Sequence, residues 1–376
     1  MAAAPSRRLT VVQLLPALES GGVERSTLEI AAALVGAGHR AIVVSAGGRL
    51  LSALEAVGAE HVALDIGRKS PLTLCHVPTL RELFARERAD VVHARSRLPA
   101  WMAWRALRGM PKPRCPRFVT TVHGLNSPGW YSGIMTRGER VVCVSNCVRE
   151  YVLRHYPRTD PQRLVVIPRG IDPVAFAPAP WPDPAVRADA VREYPRLDGE
   201  GPLLLLPGRG TRLKGHADAL RLLAGLRRAG ADARLWLPGA REAGRGDYIV
   251  ELERLAATLG VAEAVEFTPP TARIAQAYAA SDLVLQLSRK PEAFGRTVIE
   301  ALSVRRPVLG WDHGGVGELL RELLPQGAVP AFDETALLAR AQTLLTQRPA
   351  LPDTLPYTLA AMQQATLDLY HGLIDE

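Results

Sequence analysis

Short apolar runs recur along the chain with room for one helix between each pair, and this alternation constrains the fold more than any single motif. Thr10 to Leu15, Ala41 to Ser45, Val62 to Leu64, Val91 to His93, Phe118 to Val122 and Val141 to Val144 read as strands. Segments near Arg25 to Val35, and at Leu50 to Val57, Leu80 to Arg88 and Asn146 to Arg154, read as helices between them. Runs that are apolar on both faces and separated by helices predict a doubly wound parallel sheet. The pattern restarts at Leu203 to Leu206 and continues through Arg234 to Leu237, Val265 to Phe267, Leu283 to Leu287 and Pro307 to Gly310. At 376 residues the chain exceeds the usual single-domain size. The expected fold class is α/β, with two doubly wound Rossmann-like domains facing across a cleft. Pro173, Pro178, Pro180, Pro182 and Pro184 mark a stiff, exposed stretch that runs to about residue 200. The expected division is therefore 1–172, 173–353 and a long C-terminal helix within 354–376, predicted over Thr354 to Leu373.

Chemistry concentrates where predicted strands end. Glu292-Ala-Phe294-Gly295 follows the Leu283 strand, and Glu300 falls in the helix predicted from Thr297 to Val304. Open α/β sheets bind ligands at the carboxyl ends of their strands, and a helix N-terminus favours anions. Two fixed carboxylates beside free N–H groups suit a polyhydroxylated ligand that carries phosphate. Standing alone, Glu-x7-Glu is more often a loop acid and a surface helix acid. Gly208-Arg209-Gly-Thr-Arg-Leu-Lys214-Gly215 is a glycine-rich basic turn after the Leu203 strand, able to neutralise a diphosphate. Gly21 and Gly22 permit close backbone approach at the first strand-to-helix turn. His123 stands directly after Val122, again at a carboxyl edge, where a solvated loop histidine is the plainer alternative. Gly314-Gly315 opens a further helix.

Several classes drop out. The first turn is not Gly-x-Gly-x-x-Gly, and Lys214-Gly215-His216 is not a Walker site. Asp-x-Asp is absent, so no metal is expected on a diphosphate, and arginine and lysine take that role. Cys75, Cys115, Cys143 and Cys147 form no Cys-x-x-Cys pair and read as reduced thiols in a cytoplasmic protein, not zinc ligands. MAAAPSRR offers no apolar core for a secretory leader, and no run approaches the roughly 18 to 20 apolar residues that span a membrane. The net charge of +8 is uneven: residues 1–172 hold 24 Lys and Arg against 13 Asp and Glu. That half suits phosphorylated substrates or an anionic membrane face; no nucleic-acid module accompanies it.

With these residues in view, the chain resembles the retaining GT-B glycosyltransferases of glycosyltransferase family 4. The resemblance rests on Glu292-Ala-Phe294-Gly295 with Glu300. It is supported in order by Gly21-Gly22-Val-Glu24, Gly38-His39, Gly170-Ile-Asp172, Gly208-Arg209 with Lys214-Gly215, and Gly314-Gly315 with Glu318. It implies metal-independent transfer of a sugar from a nucleotide-sugar, with UDP-glucose the first choice, and no bound cofactor. Gly21 and Gly22 would lie by the donor phosphates, and His123 would face the transferred sugar. Gly208, Arg209 and Lys214 would hold the diphosphate. Glu292 would bind donor hydroxyls, Phe294 and Gly295 would offer N–H groups, and Glu300 would hold the ribose. The terminal helix would cross back to the first domain. Arg169 departs from the family's usual asparagine, and Gly210 from a bulkier residue.

The acceptor is expected to be a glycolipid or oligosaccharide, such as a lipopolysaccharide core. Trp101, Trp104, Arg105 and Arg108 share a predicted amphipathic helix that either lies on an anionic inner-membrane surface or buries its tryptophans. The alternative functions are a non-catalytic nucleotide-sugar-binding protein of the same fold and a nucleotide-sugar epimerase.

Overall fold

The computed structural model describes residues 7–19, 21–242 and 246–376. It divides into two compact units, one of residues 1–168 with 359–376 and one of residues 169–358. The strands are β1 (Thr10–Leu14), β2 (Arg40–Ser45), β3 (Glu60–Ala63), β4 (Val91–Ala94), β5 (Arg117–Val122), β6 (Arg140–Cys143), β7 (Leu164–Val166), β8 (Leu203–Leu205), β9 (Arg234–Pro238), β10 (Val265–Thr268), β11 (Leu283–Gln286), β12 (Val308–Trp311) and β13 (Ala328–Val329). The helices are α1 (Gly22–Gly36), α2 (Leu51–Ala56), α3 (His76–Arg86), α4 (Arg97–Arg108), α5 (Asn146–His155), α6 (Pro184–Glu193), α7 (His216–Arg228), α8 (Gly246–Thr258), α9 (Ile274–Ala280), α10 (Arg296–Ser303), α11 (Gly314–Leu323), α12 (Glu334–Gln347) and α13 (Leu359–Asp375).

Both sheets are parallel and both use the same order of connection. The first runs β3-β2-β1-β4-β5-β6-β7, the second β10-β9-β8-β11-β12-β13. Strand order reverses between β1 and β4, and again between β8 and β11. Each reversal opens a crevice at the carboxyl edge, because the loops on either side depart to opposite faces. The strands are mostly apolar because helices cover both faces: Leu203–Leu205 and Leu283–Val284 are fully buried, as are Val11, Val12 and Leu14, while Gln13, His93 and Thr121 are buried polar exceptions in the first sheet.

The helix α13 packs in the first unit. Its Met362, Tyr370 and Leu373 join the core around Leu9, Ile30, Leu34 and Val91, and Gln363 donates to the Glu29 carbonyl of α1 at 2.8 Å. Tyr370 Oη lies 2.6 Å from His93 Nδ1, whose Nε2 lies 2.6 Å from Thr121 Oγ1. This buried polar chain ties the helix to the floor of the first sheet's crevice.

Two sequence expectations change. The stretch from 173 to 200 contains α6: Asp183 caps it by accepting from Val186 N at 3.2 Å, and Pro184 takes the first helical position, where no N–H is needed. The final helix starts at Leu359, not Thr354; Pro356 disfavours a helical residue before it, and Thr358 instead bridges Ile171. Cys75 is exposed, whereas Cys143 is buried and its thiol is pushed up to about 12 by that burial.

Candidate functional site

In the second unit, the crevice between β8 and β11 gathers most of the residues singled out from sequence. The loop after β8 folds back so that the aliphatic stem of Lys214 lies over Gly208. Lys214 Nζ then meets Glu292 Oε1 at 2.6 Å. The Glu292 carboxylate also accepts from Ser288 Oγ at 2.5 Å and from Gln286 Nε2 at 3.2 Å, and Ser288 Oγ lies 3.0 Å from Gln286 Oε1. Burial opposes ionisation of Glu292, but the Lys214 charge and these hydrogen bonds outweigh it and hold its pKa below the ordinary carboxylate range. The result is a fixed ion pair with hydroxyl and amide groups around it, a set that matches sugar hydroxyls and a phosphate.

The three cations of the basic loop part company. Arg209 is exposed and has no carboxylate partner among the described residues. Arg212 pairs with Glu251 of α8 and lies over the Tyr248 ring, 5.2 Å from its centroid. Arg209 is thus the loop guanidinium left for a ligand, with Lys214 beside Glu292. Gly210 is also accounted for: a Cβ there would stand 2.1 Å from the Ala240 carbonyl oxygen, so the bulkier residue that the family resemblance leads one to expect cannot fit against this backbone.

Phe294 and Gly295 lead into α10, and Gly295 caps it in a left-handed conformation, φ 108°. The start of α11 lies flat against this loop. Gly315 N donates to the Glu292 carbonyl at 2.7 Å, and a Cβ on Gly315 would come within 2.6 Å of the Phe294 backbone. Glu300, in the second turn of α10, is buried and accepts from Tyr278 Oη at 2.9 Å and Arg296 Nε at 3.3 Å. Burial and the neighbouring Glu300 charge push the Tyr278 phenol well above its usual range. Tyr278 therefore stays a neutral donor that fixes one carboxylate oxygen. Gln286, Ser288, Tyr278 and Arg296 carry no motif of their own; the topology assembles them.

His216 is wholly buried at the start of α7, and burial lowers its pKa to about 4. The folded state therefore holds it neutral while the unfolded chain takes up a proton below about 6.5. Unfolded protein binds more protons between those values, so stability present above pH 6.5 is lost as pH falls towards 4. The shift corresponds to about 3 kcal/mol. His216→Leu is expected to flatten urea-measured stability across pH 6.5 to 4; an unchanged pH dependence contradicts the assignment.

The first unit holds the remaining candidates. Its crevice contains a cavity of about 350 Å³ at the ends of β4 and β5, and His123 lines it together with Lys69, Arg95 and Arg97. Among the described residues no carboxylate lines this cavity. Arg95 is buried and grips Gln13 Oε1 through Nε at 2.9 Å and Nη2 at 2.5 Å. Burial depresses its pKa, with Tyr370 and Glu29 opposing the effect. Gly21 and Gly22 are exposed at the start of α1, and Val23 and Pro16 reach the cavity wall. Sequence reasoning reaches Arg95 and Arg97 only as part of the arginine- and tryptophan-rich stretch read as a candidate acceptor surface, and does not single out Lys69.

The amphipathic helix α4 resolves in favour of packing. Trp101 is buried, and its Nε1 donates to the Tyr131 carbonyl at 3.0 Å. Trp104 is half-buried beneath the guanidinium groups of Arg108 and Arg137. This apolar face is spent within the unit, so α4 does not offer it to a membrane. No helix among the described residues is long and apolar enough to cross one.

Comparison with known proteins agrees with this arrangement. Residues 20–174 match the family model described as Glycosyltransferase Family 4, and residues 188–355 match the one described as Glycosyl transferases group 1. The D-inositol 3-phosphate glycosyltransferase of Rhodococcus opacus (strain B4) is 32% identical over 195 residues, which are 50% of this chain and 41% of that protein. The protein of the same description from Xylanimonas cellulosilytica is 32% identical over 242 residues, 60% of this chain and 56% of its own. The match thus spans about half the length of these curated relatives. The crystal structure of a glycosyltransferase from Rickettsia africae ESF-5 is 27% identical, covers 98% of this chain and 99% of its own, and superimposes with a TM-score of 0.84. With two matched halves, two parallel sheets of one strand order and the Glu292 loop at the switch point of the second, the chain belongs to glycosyltransferase family 4 and has the GT-B pair of Rossmann-like domains.

Proposed function

We propose that the protein is a retaining, metal-independent hexosyltransferase that takes its sugar from a nucleotide-sugar, UDP-glucose in the first instance, and passes it to an anionic saccharide acceptor. The observation that carries this reading is the Lys214–Glu292 ion pair set among Ser288 and Gln286 at the β8/β11 crevice, with Arg209, exposed on the same loop as Lys214, lacking a carboxylate partner among the described residues. Glu292 accepts from hydroxyls of the transferred sugar. Arg209 and Lys214 neutralise the diphosphate, and the N–H groups at Phe294, Gly295 and the start of α10 face it. Glu300, held on one side by Tyr278, turns its remaining acceptor capacity to the ribose.

The chemistry follows from that placement. The bond from the anomeric carbon to the phosphate oxygen breaks while the acceptor oxygen bonds to the same carbon from the same face. The acceptor proton passes to the departing phosphate. The protein contributes position and fixed positive charge, which stabilise the nucleotide as it leaves.

The cavity lined by Lys69, Arg95, Arg97 and His123 supports an acceptor bearing phosphate or carboxylate. A lipopolysaccharide core oligosaccharide has that chemistry. A phosphorylated inositol is the second reading, favoured by the curated relatives. The reading places the enzyme in the cytoplasm, where the positive excess of residues 1–172 draws it towards an anionic leaflet.

The test is transfer from C1-labelled UDP-glucose, in excess chelator, to deacylated lipopolysaccharide core or to inositol phosphate, with the new anomeric proton read by NMR. An α-linked product formed at an undiminished rate is expected. A β-linked product, or a rate that needs divalent metal, contradicts the mechanism. An epimerised free sugar formed without acceptor would place the chain among the epimerases.

A further inference from the structure

The first unit has a second and larger cavity, of about 680 Å³, which the proposed chemistry does not use. Trp104, Trp130, Arg137, Tyr156, Arg158 and Arg163 contribute to its wall. Three arginines and His155 line it, and among the described residues no carboxylate does.

Its aromatic wall is built rigidly. Trp130 is 74% exposed. Its inner face rests on Trp101 with ring centroids 4.4 Å apart and planes 32° from parallel. Trp101 is itself a core residue anchored to the Tyr131 carbonyl. The outer face of Trp130 is thus presented to solvent on a fixed support. Tryptophan is enriched at binding interfaces because it pairs a large apolar face with a polar edge.

The cations are fixed in the same way. The Arg137 guanidinium lies 4.7 Å from the Trp104 centroid and 5.8 Å from that of Trp101. Arg163 is spent on the carbonyls of Arg137 and Gly138. Tyr156 Oη accepts from Gly129 N at 3.3 Å and so ties the loop that carries Trp130. Among the described residues neither Arg137 nor Arg158 has a carboxylate partner. An indole plate suits the C–H face of a pyranose, and a rim of guanidinium groups without carboxylates suits a carboxylate or phosphate on that sugar. Chain-adjacent residues reach the two cavities: Trp130 lines this one and Tyr131 the first.

We propose that this second cavity is a saccharide subsite for an anionic residue, a hexuronic or phosphorylated sugar, of an oligosaccharide acceptor whose reacting residue occupies the first cavity. It rests on the glycosyltransferase reading above and extends it: the acceptor is a charged oligosaccharide with at least one residue beyond the reacting one. Trp130 stacks on that residue, and Arg137 and Arg158 hold its charge.

The test is calorimetric binding of trigalacturonic acid to the intact protein, without donor, so that binding and transfer are read separately. Trigalacturonic acid is expected to bind, and maltotriose to bind at least about tenfold more weakly. Trp130→Ala and Arg158→Gln are each expected to weaken trigalacturonic acid by about tenfold or more at an unchanged melting temperature. Arg158 is exposed and its replacement leaves the fold intact, so the test holds even if Trp130→Ala does not fold. Failure to bind, equal affinity for maltotriose, equal affinity for UMP, or full affinity in Arg158→Gln overturns the proposal. Binding to anionic phosphatidylglycerol vesicles but not to the trisaccharide replaces it with a membrane contact. Loss of transfer activity with trisaccharide binding intact would sink the functional reading and leave the subsite standing.

Discussion

Glu292→Ala is expected to lower the rate of sugar transfer by roughly 10²–10³-fold, the range seen when one preorganised polar contact is removed from a transition state. The carboxylate is the hub of its cluster. Removing it takes the partner from Lys214 and the acceptor from Ser288 and Gln286 at once. Lys214 is then free to swing away from the position in which, on the proposed reading, it would face the diphosphate. The backbone has less to lose, because the Glu292 carbonyl still accepts from Gly315 N. The melting temperature should therefore move far less than the rate. Glu292→Gln separates charge from shape: it keeps the volume, loses the ion pair, and should fall between the other two. Initial rates with saturating donor check both variants. Near-normal transfer by Glu292→Ala, in folded protein, contradicts the assignment.

Arg306→Leu is expected to destabilise the second unit by about 3–5 kcal/mol, the range for an uncompensated break in a buried charged network. Arg306 is wholly buried. It donates to the carbonyls of Ser281 at 2.8 Å, Val304 at 3.0 Å and Ala179 at 3.2 Å, and also to those of Pro180 and Ala279. One guanidinium thus ties the proline-rich segment to the ends of α9 and α10. Burial lowers its pKa to about 10, with Asp282 and Asp183 opposing the effect. Leucine would leave the carbonyls without donors in a site that water does not enter. Lysine restores the charge but not the fork, so Arg306→Lys recovers only part of the loss. Urea unfolding measures it; a change below about 1 kcal/mol would mean that the segment is held by something else.

That arginine also shows where the sequence stops being legible. Prolines at 173, 178, 180, 182 and 184 look like a linker, because composition reports stiffness and not what the segment rests against. The anchor lies more than 120 residues away along the chain. Asp183-Pro184 is a helix start in plain view, masked by the prolines around it. Of the thirteen strands among the described residues, eleven are legible to within a residue or two because parallel strands covered on both faces are mostly apolar, as in Leu203–Leu205 and Leu283–Leu285; β7 and β13, of three and two residues, are too short to stand out.

The site divides along the same line. Glu292, Glu300, Lys214 and the paired glycines stand at fixed spacings around strand ends, so the pattern of residues alone singles them out. Gln286 and Ser288 are ordinary polar residues at the end of a strand, and only the fold of the loop points both at Glu292. Tyr278 comes from the preceding helix to hold Glu300. Arg209, Arg212 and Lys214 look alike in sequence yet divide into an exposed cation, a partner for Glu251 and a partner for Glu292. Periodicity marks α4 as amphipathic but does not tell a protein core from a lipid surface. The burial of Trp101 decides that question.

The most direct test of the central claim, that the β8/β11 crevice of the second unit holds a nucleotide-sugar, is thermal stability against UDP-, GDP- and ADP-sugars in the presence of chelator, for the wild type and for Glu300→Ala. One nucleotide class is expected to stabilise the wild type, by about 2.7 kcal/mol at a hundred times its dissociation constant, and to leave Glu300→Ala nearly unmoved. No shift with any donor in folded wild-type protein, or an equal shift in the variant, would contradict it.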